Sequence, residues 1–174
     1  MQNFRHSMAM KHKLLTLIAL FLTILNGLNA QDTETKDPEV ILIQQLNELR
    51  AEGCMCGNAK ANPVGSLIWN KQLASIAKEY AEQLKENNQT SQDAYLFISH
   101  IGTDGSTLMS RLDNAGYIAK NAIENIAFIN GNEDMVIDYW LNNPESCQNI
   151  MNKKMTTMGA AKSGDFWVLI LTQK

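Results

Sequence analysis

The chain has 174 residues, 45% hydrophobic and 19% charged, with 3 Pro. That is enough for one domain with a real core, too short for two ordinary ones, and too apolar for a disordered chain. The formal net charge is −3 and no Lys/Arg cluster is interleaved with aromatics, which excludes nucleic acid as the partner expected of this composition.

Lys11, His12 and Lys13 precede an uncharged apolar run from Leu14 to Leu25, then the softer Asn26-Gly27-Leu28-Asn29-Ala30 and the polar Gln31-Asp32. This is the order of a secretory signal, with cleavage expected after Ala30. The run falls short of the roughly 20 apolar residues that a spanning helix needs. Residues 1–30 are therefore read as a signal peptide and the product as secreted, either extracellular or periplasmic, with no membrane attachment after cleavage. Met1, Met8 and Met10 would each leave that signal intact. Cleavage removes Arg5, Lys11 and Lys13 and no acid, so the net charge moves from −3 to −6.

Residues 31–37 read as a flexible leader and 38–174 as the domain. Asp37-Pro38-Glu39 supplies a cap, a first-turn proline and a first-turn acid, and Leu42, Leu46 and Leu49 follow at helical spacing, predicting a helix over 38–52. Gly53 ends it, and 53–66 reads as a loop that carries two cysteines. A second helix is expected from Asn70 to Glu86, with Leu73, Ile76, Ala77, Tyr80 and Leu84 on one face, and 87–92 is polar enough for a loop. His100 lies in an aperiodic stretch with two glycines. Ser106 is placed as the cap of a short helix with Leu108, Met109, Leu112 and Ala115 inward, closed by Gly116. Residues 121–129 read as extended. Asn132-Glu133-Asp134 opens a helix burying Val136, Tyr139 and Trp140, and Asn142-Asn143-Pro144 stops it and primes a turn through Met151. Met155–Ala161 and Phe166–Thr172 flank Ser163-Gly164-Asp165 as a hairpin. Helices first and strands last indicate an α+β layered domain.

The 3 cysteines, Cys54, Cys56 and Cys147, allow one bridge and one spare in an exported chain. Cys54 and Cys56 would bridge each other only with strain, so one of the two is expected to join Cys147. Zinc at Cys54-Met55-Cys56 is the weaker reading, because the gap is too short and no second Cys pair exists. After cleavage His100 is the only imidazole, which excludes a multi-histidine zinc site within one chain. Chemistry is left to His100, to Glu124 in the apolar run Ala122-Ile123-Glu124-Asn125-Ile126-Ala127, and to Ser146. Glu124 either faces solvent from an edge strand or lines a cleft and orients His100.

The chain resembles the CAP superfamily, the SCP-like extracellular domain, in its bacterial form. The resemblance is carried by Cys56-Gly57, Leu67-Ile68-Trp69-Asn70, Phe97-Ile98-Ser99-His100 through Ser106, Arg111, Ala115-Gly116-Tyr117, Glu124-Asn125-Ile126-Ala127, Trp140, Asn143 to Met151, Met158-Gly159 and Phe166-Trp167. It implies an α-β-α sandwich, a Cys56–Cys147 disulfide, and a cleft formed by His100, Glu124, Asn125 and Ser146. In similar proteins the cleft holds two histidines and acids, sometimes with a divalent metal. His100 and Glu124 match the first histidine and the acid, but Ser146 stands at the second histidine, Glu145 at the glycine before it, and Ile123 at the glycine before the acid. These departures argue against a bound metal, and no cofactor is expected. The resulting expectation is a secreted binding or interaction module for an extracellular peptide, lipid or protein ligand. The alternatives are a peptidase or esterase in which His100 is the base, Glu124 orients it and Ser146 or water attacks, and a lipid or sterol carrier with a groove lined by leucine and methionine.

Overall fold

The computed structural model describes residues 38–90 and 98–174, so the expected signal peptide and leader lie outside the described residues. Helix α1 spans Pro38–Glu52. Leu42, Leu46 and Arg50 recur four residues apart and are all buried, which makes the inner stripe of this helix two leucines and a guanidinium. Gly53 ends it at φ +76°, where its N–H returns to the Leu49 carbonyl.

The segment read as a loop after α1 contains a small hairpin, β1 at Cys54–Cys56 paired antiparallel with β2 at Ala59–Ala61. Its strands are three residues each, too short for any alternation to register in the sequence. Strand β3 (Ile68–Trp69) leads into α2 (Lys71–Thr90). That helix runs past the expected end at Glu86, through polar Asn87 and Asn88, because backbone hydrogen bonds can carry a last turn that has no apolar residue. Residues 91–92, the rest of the expected loop, lie outside the described segment.

Helix α3 spans Leu108–Asn114, capped by Thr107 rather than Ser106: the Thr107 hydroxyl accepts from Ser110 N–H while Ser110 reciprocates to the Thr107 N–H. Only Leu112 of its expected inward set is fully buried, and Met109 is exposed. Strand β4 covers Asn121–Phe128 and α4 covers Glu133–Asn142 behind an Asn132 cap. In α4 Val136, Ile137 and Trp140 are inward, whereas Tyr139 turns outward because Ile137 takes the position beside Val136. Helix α5 is Pro144–Ile150, with the Asn143 side chain accepting from Glu145 and Ser146 N–H. Strands β5 (Thr157–Ser163) and β6 (Phe166–Gln173) close the chain as the expected hairpin.

The four-stranded sheet has the order β3-β5-β6-β4, with β3 parallel to β5 and the other pairs antiparallel. Its centre is β6, buried on both faces. Trp167, Leu169 and Leu171 pack with α1, α4 and α5, while Phe166, Val168 and Ile170 pack with α2 and α3. The period of two along one strand thus generates two cores, and the domain is an α+β fold with helices on both faces of the sheet. Helix α2 lies against β5 at Gly159, where a Cβ would come within 2.3 Å of the Ala74 nitrogen. Among the described residues no helix is long and apolar enough to cross a membrane.

Candidate functional site

Edge strand β4 fixes the geometry of the site. Glu124 is paired with Ile170 and so projects to the α2/α3 face, while Asn125 is paired with Leu169 and projects to the opposite face. Neighbouring Glu124 and Asn125 thus leave β4 from opposite faces. His100 meets Glu124, and Asn125 meets the backbone carbonyl of Ser146.

On the first side Glu124 is almost completely enclosed, with a side chain 2% exposed. Its two oxygens are divided between two partners: Oε1 lies 2.9 Å from His100 Nδ1, and Oε2 accepts from Arg111 at 2.7 Å. The solvent-facing reading of Glu124 is thus replaced by the buried one. The carboxylate orients the ring so that Nε2 is the atom turned outward, on a side chain that is 62% exposed. The hydrogen bond to Glu124 raises the His100 pKa above the usual imidazole range. Burial opposes that shift, and the charges of Glu124 and Glu145 add to it.

Arg111 completes the group. It donates to the carbonyls of Ser106 at 3.1 Å and His100 at 3.4 Å, and its guanidinium carbon sits 3.5 Å over the Tyr80 ring. Tyr80 donates its hydroxyl proton to the Ser99 carbonyl, and burial pushes its pKa up to about 12. Arg111 and Tyr80 thus hold the 99–106 backbone that presents His100. Reasoning from the sequence placed Tyr80 only in the core and gave Arg111 no role. The available signal was a lone arginine next to buried Leu112 in a short helix, a cation that needs an anion if it is drawn inward.

On the other side Asn125 is a connector. Its amide donates to the Ser146 carbonyl at 3.0 Å and accepts from Asn149 at 2.9 Å, which ties β4 to α5. Only 2% of its surface is exposed. Among the described residues no hydrogen bond links Ser146 to His100, so the arrangement holds a histidine–carboxylate pair and no serine–histidine pair. A cavity of about 410 Å³ opens beyond Arg111, lined by Tyr80, Gln83, Asp104 and Ser106, and neither His100 nor Glu124 borders it.

Helix α5 also carries Cys147, which the structure joins to Cys56 with a Cα–Cα separation of 5.4 Å. Cys54 is the free thiol, and burial raises its pKa.

The cysteine-rich secretory protein (CAP) family matches residues 43–170. No curated protein matches the chain. Among solved structures, an extracellular protein containing an SCP domain from Bacillus anthracis is similar at 23% identity and TM-score 0.61, over 78% of this chain and 41% of that one. A cysteine-rich secretory protein from Staphylococcus aureus is similar at 21% identity and TM-score 0.58, over 83% and 40%. An outer surface protein from Borrelia burgdorferi is similar at 23% identity and TM-score 0.64, over 81% and 96%. This chain spans about two fifths of the length of the first two and nearly all of the third. Such identities establish a shared fold, and the family match covers most of the chain; the chain belongs to the cysteine-rich secretory protein (CAP) family.

Proposed function

We propose that this CAP domain is exported and acts as a binding or interaction module whose cleft does not hold a metal. The observation that supports this reading most is the single imidazole among the described residues. His100 commits Nδ1 to Glu124, which leaves one nitrogen for a ligand, and position 146 supplies a serine with no lone-pair nitrogen to oppose it. A raised His100 pKa also favours the imidazolium, a hydrogen-bond donor suited to acidic or carbonyl groups and a poor metal ligand. The N-terminal signal pattern, together with the extracellular and outer-surface descriptions of the similar bacterial proteins, supports export.

Calorimetric titration of the mature chain with zinc tests the metal-free reading. The expected outcome is no micromolar binding. Micromolar binding that disappears in His100→Ala would overturn it.

A hydrolase in which His100 activates water draws on the 2.9 Å His100–Glu124 contact. It needs neutral imidazole, so any peptide or ester hydrolysis should rise as pH passes upward through the His100 pKa and should vanish in His100→Ala. The lipid-carrier reading finds less support. The larger cavity, about 680 Å³, is lined by Trp69, Trp167, Ala74 and Lys78 with one leucine, Leu42, and no methionine.

A further inference from the structure

The most reactive juxtaposition outside the His100 site is sulfur. Cys54 and Cys56 are two residues apart on β1, so the strand's period of two turns both side chains to the same face. That face meets Cys147 on α5, and the three sulfurs lie within 4.8 Å of one another. The free Cys54 Sγ is 3.6 Å from Cys147 Sγ and 3.9 Å from Cys56 Sγ. The spacing that looked too tight for a bridge within the hairpin therefore delivers two competing partners to one buried cysteine.

We propose that Cys54 is an internal exchange thiol that competes with Cys56 for Cys147, so that the domain carries two interchangeable disulfides. In the exchange the Cys54 thiolate attacks Cys147 Sγ, the Cys54–Cys147 bond forms as the Cys56–Cys147 bond breaks, and Cys56 leaves as thiolate and takes up the proton that Cys54 gave up. One disulfide and one thiol are present before and after, so no oxidant or reductant is consumed. Cys147 is the target because attack on Cys56 would close a ring within the three-residue strand, which is the strained product.

Chain entropy does not separate the two forms. The loops close over sequence separations of 91 and 93 residues, and the entropy depends only on the logarithm of that length. What differs is local: the present form leaves half-buried Cys54 free, whereas the exchanged form leaves the buried Cys56 free. The exchange also moves the anchor point of α5 by two residues along β1. Ser146, whose carbonyl is tied to Asn125 on the strand that carries Glu124, directly precedes that anchor. Burial that raises the Cys54 pKa lowers its thiolate fraction, so the exchange is slow compared with that of an exposed thiol.

The test uses the mature chain with Cys56→Ser, oxidised in the same way as the unmodified protein. The expected result is a Cys54–Cys147 disulfide, no thiol titrating in denaturant, and a melting temperature above that of the Cys54→Ser/Cys56→Ser double variant. A folded Cys56→Ser protein with two free thiols would overturn the proposal. Should that variant fail to fold, the unmodified chain decides. It is incubated, quenched in acid, alkylated and digested, and the label is located by tandem mass spectrometry. Label accumulating on Cys56 above the zero-time sample supports exchange, and label confined to Cys54 at all times overturns it.

Discussion

At the scale of single residues, two buried charges are handled in different ways. Glu124 is neutralised by Arg111 and shared with His100, whereas Arg50, fully enclosed, meets no carboxylate among the described residues and donates to the carbonyls of Gly65, Ile150, Asn152 and Met155. Burial accordingly lowers the Arg50 pKa. Its five N–H groups fasten the loop before β3 and the segment after α5 to the end of α1. The Glu124 arrangement makes a prediction that proton titration by NMR can read. Glu124→Gln should lower the His100 pKa towards the ordinary imidazole range, because the principal cause of its elevation is the carboxylate hydrogen bond. The sign for stability follows. With a folded pKa above the unfolded one, the His100 contribution is complete below the unfolded pKa and is lost as pH rises through the folded value. The pH dependence over that window should flatten in Glu124→Gln. His100 and Glu124 were legible as candidates from the sequence, since one is the last imidazole and the other a carboxylate inside an apolar run. That they touch, and that Asn125 turns the other way, depends on which face of β4 each occupies. Alternation places the neighbours on opposite faces without saying which face a loop will cover.

At the scale of elements, periodicity carried most of the reading. Helix α1 begins and ends where its proline and glycine place it, and the β5–β6 hairpin matches its β-rich runs and the turn at Gly164-Asp165. The hairpin β1–β2 was missed because three-residue strands hold less pattern than noise, and α2 was cut short because its last turn is polar. One close approach between elements is also invisible in the sequence. Gly159 lies inside the β-rich run 155–161, and it is a point where α2 rests on the sheet. A Cβ there would stand within 2.5 Å of Leu73 carbon and 2.3 Å of Ala74 nitrogen, both backbone atoms that cannot swing away. Gly159→Ala should therefore destabilise the domain by about 1–3 kcal/mol through overpacking. Denaturant unfolding measures this, and an unchanged midpoint would show that the layers can separate freely.

For the whole molecule, two helical layers share one sheet, and the disulfide links the layer holding α5 to the small hairpin beside α1. Its loop spans 91 residues of sequence. On the chain-entropy account, removing every bridge to Cys147 should cost roughly 4–5 kcal/mol. The double variant Cys54→Ser/Cys56→Ser, compared with the parent by denaturant unfolding without reductant, should show that loss. A far smaller loss would mean that the unfolded chain is already constrained.

The sequence by itself determined the α+β class, most of the helices, the terminal hairpin, the family and the shortage of imidazoles, because composition, local period and motif order are properties of the chain read along its length. Tertiary structure alone decided that Glu124 is buried between His100 and Arg111, that Asn125 ties β4 to the Ser146 carbonyl of α5, and that three sulfurs converge. Those outcomes depend on which residues distant in sequence are brought within a few ångströms, and that is fixed when two helical layers close on the opposite faces of β6.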